Sequence, residues 1–378
     1  MGIRKRYFLK WILILMCVYT AIILVMAVFS LRSLWNLERE LKLGYIDSSL
    51  IPQKKQEIPR YFNIISGAPS QTPEEALVAS LAVIIDNHPK SFPQEGLDKA
   101  DVVFEVPVEG GATRFLAFFN ADNTVPKIGP VRSARRYFAD MAGIFQSLIA
   151  HSGGSPEAIL YLKGNTLSVI DVDEIGPEGK YFWRDMTRSA PHNLFTSSAF
   201  LQDALKTLKK ERENYLVYEN VAWSWLDQKS EKDALRENFF LQTKNSNEAS
   251  DITIDYSTFT YQVEYKYNPE RRRYARFQGG AVLKTSDQEE IFIDNILIAY
   301  MPVAVIDNEG RLKIEDVGSG EALVCMYGIC LKTLWQREAQ NKQIVFLQHE
   351  SPVKFIPFGR TWIHIVPIGR KVTLSNSY

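Results

Sequence analysis

The sequence predicts a larger α/β (or α+β) domain on a mixed sheet, then a small, mostly antiparallel β domain, all preceded by one transmembrane helix. Three observations carry this expectation. Trp11 to Phe29 is a run of nineteen residues without a charge. Between residues 76 and 243, short apolar runs that read as strands are interleaved with helical spacings. After residue 251 the helical period disappears and short alternating strands follow one another, broken by Asn, Asp and Gly turns.

The N-terminal run is long enough to cross a hydrocarbon core as a helix. Arg4, Lys5, Arg6 and Lys10 lie on one side of it with no acid among them, which favours a cytoplasmic N-terminus. The expected order is a cytoplasmic basic segment (1–10), a single span in the cell membrane (11–31) that makes the lipid bilayer a partner, and an extracytoplasmic bulk. A cleaved signal peptide is the competing reading, but its apolar region would be unusually long and no small-x-small site follows promptly. Cys17 follows Met16 in the middle of the apolar run, a poor setting for lipidation. Residues 32–75 read as a helical extension and then a tether punctuated by Pro52, Pro59, Pro69 and Pro73. Within it, the patch at 61–65 is alternatively a docking strand. The chain's 378 residues suit two domains and an anchor, and a formal net charge of zero removes the simple case for a nucleic-acid partner.

In the larger domain (76–243), residues 81–86, 101–106 and 113–119 read as strands. Arg132 to Gln146 has helical spacing with Ala134, Phe138, Met141 and Phe145 along one side. Arg132, Arg135 and Arg136, at i, i+3 and i+4, gather on one face with Asp140 a turn beyond. A strand at 148–150 runs into His151, Ser152, Gly153, Gly154 and Ser155. Ser155 caps a new helix with Pro156 at its first position. Glycines between a strand and a helix N-terminus can gather backbone N–H groups around an anion, although a plain tight turn fits them as well. Residues 171–196 form a long loop packed down by Tyr181, Phe182 and Trp183, carrying Arg184, Asp185, Arg188, His192 and Asn193. Phe200 to Lys210 is amphipathic, and Trp223 and Trp225 precede a helix that closes the domain.

The polar stretch at 244–250 is the expected boundary, and 251–372 the β-rich domain. Within it, a two-residue turn at Tyr327 and Gly328 pairs Met326 with Ile329 and sets Cys325 opposite Cys330 in a non-hydrogen-bonded pair. A cross-strand disulfide is expected outside the cytoplasm.

Residues 101–137 concentrate the chemistry. Acids at 101, 105 and 109 alternate with apolar residues, and arginines follow at 114, 132, 135 and 136. Unpaired buried charge is costly, so either these groups brace one another or the arginines await an anionic ligand. The candidate binding set is Arg114, Arg132, Arg135, Arg136, His151, Ser152, Gly153, Gly154, Ser155, Arg184, Arg188, His192 and Asn193. The partner it suits is an anionic cell-wall component, a peptidoglycan or phosphate-containing polymer, gripped by bidentate contacts. An enzyme acting on the same material would draw on Asp101, Glu105, Glu109 and His151. A scaffold docking an envelope protein is the third reading. His88, His151 and His192 are single and far apart, no metal-ligand spacing or nucleophile elbow occurs, and no cofactor is expected.

Several runs together carry a resemblance: VIIDNHP at 83–89, ADVVFEVPVEGGATRFLAFF at 100–119, IGPVRSARRYF at 128–138, HSGGSPEA at 151–158 and RSAPHNLFTS at 188–197. With GEALVCMYGICLKTLW at 320–335 and GRTWIHIVPIG at 359–369, they resemble the bacterial YerB family over roughly residues 78–370. The resemblance implies an envelope protein anchored in the membrane, with an N-terminal domain of unknown function and a smaller C-terminal one, and it implies no reaction. A looser similarity links Asp101 and the arginines at 132, 135 and 136 to enzymes that transfer anionic glycopolymers to peptidoglycan, whose characteristic motifs are absent here.

Overall fold

Three strands between Ser80 and Asn120 are apolar at nearly every position, a composition suited to strands covered on both faces. The computed structural model describes residues 26, 28, 32, 61–63, 65–67, 69–70, 72, 79–164, 169–209, 247–340, 342–348, 351–352 and 359–376. In it β1 (Ser80–Asp86), β2 (Val102–Pro107) and β3 (Thr113–Asn120) are buried almost throughout, with β3 lying antiparallel between the other two. Helix α1 (Arg136–Ile144) leads to β4 (Leu148–His151), and α2 (Pro156–Lys163) to β5 (Ile170–Asp173). Both of these strands run parallel to β1 and extend the sheet beyond it. Helix α3 (Ser198–Lys209) follows the long loop.

The chain after residue 250 supplies two sheets. β6 (Asp251–Asp255), β7 (Gln262–Asn268) and β8 (Arg273–Gln278) form an antiparallel meander. β9 (Asn295–Met301), β10 (Gly318–Met326), β11 (Ile329–Arg337), β12 (Val345–Gln348) and β13 (Thr361–Pro367) instead join the larger sheet, where β13 lies parallel to β2. The last strand, β14 (Val372–Ser375), returns to β6. A mixed twelve-stranded sheet thus stands beside a six-stranded antiparallel one. The expected boundary at 244–250 separates two stretches of chain but not two sheets. Strand alternation reports burial and is silent on which sheet a strand joins.

Side-chain parity along the strands builds two cores. Ala82, Ile84, Phe104, Val106, Leu116 and Phe118 face α1 and α2, while Leu81, Val83, Ile85, Val103, Phe115 and Ala117 share a core with the smaller sheet. Ser155 accepts from the Ala158 N–H as the expected cap of α2, with Pro156 at its first position. In the β10–β11 hairpin Tyr327 and Gly328 both have positive φ, as a two-residue turn of this kind demands. A Cβ on Gly328 would also lie 2.8 Å from the Tyr267 ring. Cys325 faces Cys330 as expected, and the two form a disulfide with Cα atoms 4.1 Å apart.

The first helix of the larger part departs from the spacing-based reading. It begins at Arg136 rather than Arg132, with Arg135 extended at its cap. Residues 131–134 are instead drawn out between β1 and β4: the Arg132 N–H donates to Ile84 O, and the Arg132 carbonyl accepts from Ser152 N–H. The three arginines therefore do not share a helix face.

Among the described residues no helix is long and apolar enough to cross a membrane. The expected span at 11–31 lies outside them apart from Met26 and Val28, both helical and exposed. The basic segment 1–10, most of the tether, and Trp223 and Trp225 with the helix after them also lie outside. In the tether, Tyr61–Phe62 pairs with Pro69–Ser70 as a short ladder.

Candidate functional site

Strand β1 ends in Asp86, and the register of β3 places Arg114 opposite it. The chain comes back to this end at Gly129, where φ is +146° and a Cβ would meet Leu194 O at 2.8 Å. Val131 then bridges to Ile85, which delivers Arg132 to the same place. Arg132 Nε lies 3.0 Å from Asp86 Oδ2, and His192 Nδ1 lies 2.6 Å from the same oxygen. The His88 N–H donates to Asp86 Oδ1 at 3.0 Å, and the His88 and His192 rings stack with centroids 4.9 Å apart.

Next to this group, Arg135 forks onto Glu109, with Nε at 2.5 Å and Nη2 at 2.8 Å from its two oxygens. That bidentate geometry neutralises both partners. Arg114 differs: Nη1 donates to Ser133 O at 2.8 Å, and no carboxylate among the described residues lies within ion-pairing distance. Burial, then the neighbouring Arg135 and Arg132, push its guanidinium down to about 10. Three guanidiniums thus meet two carboxylates, Asp86 and Glu109, in a half-buried cluster with an uncompensated positive charge. Tyr261 closes the cluster from the smaller sheet, and burial followed by the Asp86 charge raises its hydroxyl.

Other expected site residues are placed elsewhere. Arg136 turns to Glu157 at 3.2 Å and lies 4.0 Å over the Tyr161 ring. The glycine loop uses its N–H groups on protein acceptors. Ser152 donates to Arg132 O, Gly153 to Asp173 Oδ1 at 2.7 Å and Ser155 to Ala134 O, while Gly154 bridges to Ala134. His151 is fully buried between Gly153 O at 2.8 Å and Asp171 Oδ1 at 2.7 Å. Burial alone would lower its pKa, but Asp171 and Asp173 raise it, so both ring nitrogens are committed. Arg184 bridges Glu174 and Asn193, and Arg188 holds Glu95 at 3.1 Å. These contacts brace the long loop and present His192 to Asp86.

The four catalytic candidates do not converge. Glu105, fully buried between the sheets, accepts from Arg276 Nη2 at 2.8 Å, Thr113 Oγ1 at 2.8 Å and Asn87 Nδ2 at 3.1 Å. His364, beside it, is held neutral by burial between the hydroxyls of Tyr256 and Tyr265. Glu109 is tied to Arg135 and His151 to Asp171. Asp101 sits at the far end of β2, lining a cavity of about 360 Å³ with Asp98, Lys99, Arg273, Asp294 and Arg360. Three acids and three bases balance there, so that hollow has no net demand for a counter-ion. Burial pushes the Asp101 carboxyl up to about 6.

Asp86 and His88 are the residues that sequence reasoning did not assign to the site. The available signal was local: a polar Asp-Asn-His-Pro run directly after a fully apolar strand. Their partner His192 is more than a hundred residues away in the chain, at a separation of 106 from Asp86.

Comparison with known proteins gives a consistent picture. The models for the N-terminal and C-terminal domains of the protein of unknown function described as DUF3048 match residues 65–213 and 252–363. YerB, a candidate lipoprotein of Bacillus subtilis (strain 168), is 34% identical over 297 residues, covering 76% of this chain and 81% of the relative. The crystal structure of YerB protein from Bacillus subtilis superposes with a TM-score of 0.68 at 27% identity, covering 83% of this chain and all of that one.

Proposed function

The chain belongs to the YerB family, and from that premise we propose that it is a membrane-anchored envelope protein whose body binds an anionic envelope ligand at the Arg114–Arg132 cluster. The description of the Bacillus subtilis relative as a lipoprotein supports anchoring at a membrane surface. In this chain the apolar run at 11–31 takes that role, with the N-terminus cytoplasmic and residues 32–378 outside. The ligand is a phosphate-containing polymer or a peptidoglycan carboxylate, since a guanidinium fork suits both groups.

One observation carries the reading: Arg114 has no carboxylate partner among the described residues, although burial and two neighbouring guanidiniums already disfavour its charge. A buried cation in that state gains most from an anion brought by a ligand. The experiment is equilibrium binding of the full chain, in detergent micelles, to poly(glycerol phosphate) and separately to soluble peptidoglycan fragments. Arg114→Gln should weaken whichever ligand binds by about tenfold or more. Equal binding by wild type and variant, or no binding of either ligand, refutes the proposal.

A further inference from the structure

The two histidines at this site are fixed in complementary states by their partners. His192 lies with Nδ1 2.6 Å from the Asp86 carboxylate, which can only accept, so in the neutral ring that nitrogen carries the proton and Nε2 is left as a lone pair. His88 is set the other way. Its Nδ1 accepts from the Lys90 N–H at 3.1 Å, so in the neutral ring the proton sits on Nε2. Burial, then His192, lowers the His88 pKa and favours that neutral form. Neither Nε2 has a partner among the described residues. The rings stack at 4.9 Å with planes 22° apart, giving a base and a hydrogen-bond donor side by side. Arg132 adds a third element: Nε lies 3.0 Å from Asp86 Oδ2 as an ion pair without hydrogen-bond alignment, and Nη1 reaches Pro191 O at 3.4 Å, leaving Nη2 to donate.

We propose that Asp86, His192, His88 and Arg132 form a hydrolytic centre for carboxylic esters of the anionic ligand, an inference that rests on the binding reading above. Water adds to the ester carbonyl carbon as His192 Nε2 takes one of its protons, forming the C–O bond and a tetrahedral oxyanion. The His88 Nε2–H and Arg132 Nη2–H donate to that oxyanion. The bond to the alcohol oxygen then breaks, the proton on His192 passes to the departing oxygen, and acid and alcohol leave with the imidazole neutral again. Arg114 holds the ligand's own anionic group. Asp86 is a positioning residue that fixes the His192 tautomer.

The stack also selects the reaction class. At a tetrahedral carbon the entering and leaving oxygens share one atom, so a single imidazole can serve both. In-line displacement at phosphorus puts them on opposite sides, where adjacent rings cannot reach both.

The test uses the full chain with 4-nitrophenyl hemisuccinate, an anionic ester, against neutral 4-nitrophenyl acetate and bis(4-nitrophenyl) phosphate. Turnover above buffer is expected for the hemisuccinate, with slower acetate and no phosphodiester cleavage. His192→Gln should lower kcat about a hundredfold. His88→Phe keeps the stack but loses the donor, and should lower it about tenfold or more. Asp86→Asn should lower kcat with KM little changed. Absence of ester turnover, or turnover unaltered in His192→Gln, overturns the inference. Succinate binding measured by calorimetry on the same samples separates the two readings. If succinate binds through Arg114 without turnover, only the catalytic step falls, and if it does not bind at all, the anion site falls with it.

Discussion

Two polar clusters lie on the larger sheet, one at Glu105 on β2 and one at Asp86 on β1 with β3 between them, and they are built on opposite principles. Around Glu105 every carboxylate oxygen has a donor, and the Arg276 guanidinium is fully buried with its centre 5.3 Å from the Phe115 ring and 5.0 Å from Trp362. Charges cancel and water is excluded. Around Asp86 the groups are mostly buried but still reach solvent, and one cation is left over. The first arrangement locks the smaller sheet onto the larger; the second keeps a charge available. On the proposed reading, stability and binding occupy separate clusters, and removing a charge should have opposite effects in the two.

The largest expected effect comes from the buried pair. Glu105→Gln preserves shape but strands the Arg276 charge, whose Nε and Nη1 already lack hydrogen-bond partners in the described structure. The expected loss is about 3–5 kcal/mol of unfolding free energy, read from urea denaturation at neutral pH. Adding Arg276→Met should return part of that loss, because the double change removes both charges together. A Glu105→Gln variant as stable as wild type would mean the sheets are held by apolar packing alone.

Asp101 sharpens the contrast on the same strand. It is mostly buried like Glu105, but among the described residues no guanidinium lies within ion-pairing distance, and burial raises its carboxyl to about 6. A folded-state pKa above the unfolded value means the folded chain binds more protons, so stability falls as pH rises from about 4 to about 6. Asp101→Asn should remove that slope. It should stabilise the protein at pH 8 by about 1–3 kcal/mol and change little at pH 4. Paired thermal melts at the two pH values check this, and equal shifts at both would reject the raised carboxyl.

Much of this was legible in the chain itself where the determinants are local. β1 to β4 lie within about a residue of their apolar runs, Ser155 and Pro156 announce α2, and the Tyr327–Gly328 turn fixes the cysteine pairing. What failed to show depends on contacts far apart in sequence. Glu105 and Arg276 are 171 residues apart, and Asp86 and His192 are 106 apart. Helical spacing around Arg132 was misleading for a related reason. Extended pairing with β1 and β4 outcompeted local propensity, a competition visible only once those strands are in place. The arginines at 114, 132 and 135 were identified from type and density, but whether each was braced or free followed from where Glu109 and Asp86 came to lie.

Arg114 supplies the smallest effect on stability and the clearest test of the comparison. Its guanidinium is held at about 10 by burial and by Arg135 and Arg132, so at neutral pH the folded protein carries a charge that its surroundings disfavour. Arg114→Gln should raise unfolding free energy by about 1 kcal/mol, after allowance for screening by the water that reaches this partly buried site, while weakening ligand binding. Salt separates the two clusters further. Between about 0.1 M and 1 M ionic strength the Debye length falls from about 10 Å to about 3 Å, so repulsion among these partly buried guanidiniums and their attraction for a ligand anion both weaken. The gain from Arg114→Gln should therefore shrink in high salt, whereas the penalty of Glu105→Gln, sealed from ions, should persist. Equal salt dependence in the two variants would show that water reaches both clusters alike, and the division between a brace and a binding site would no longer hold.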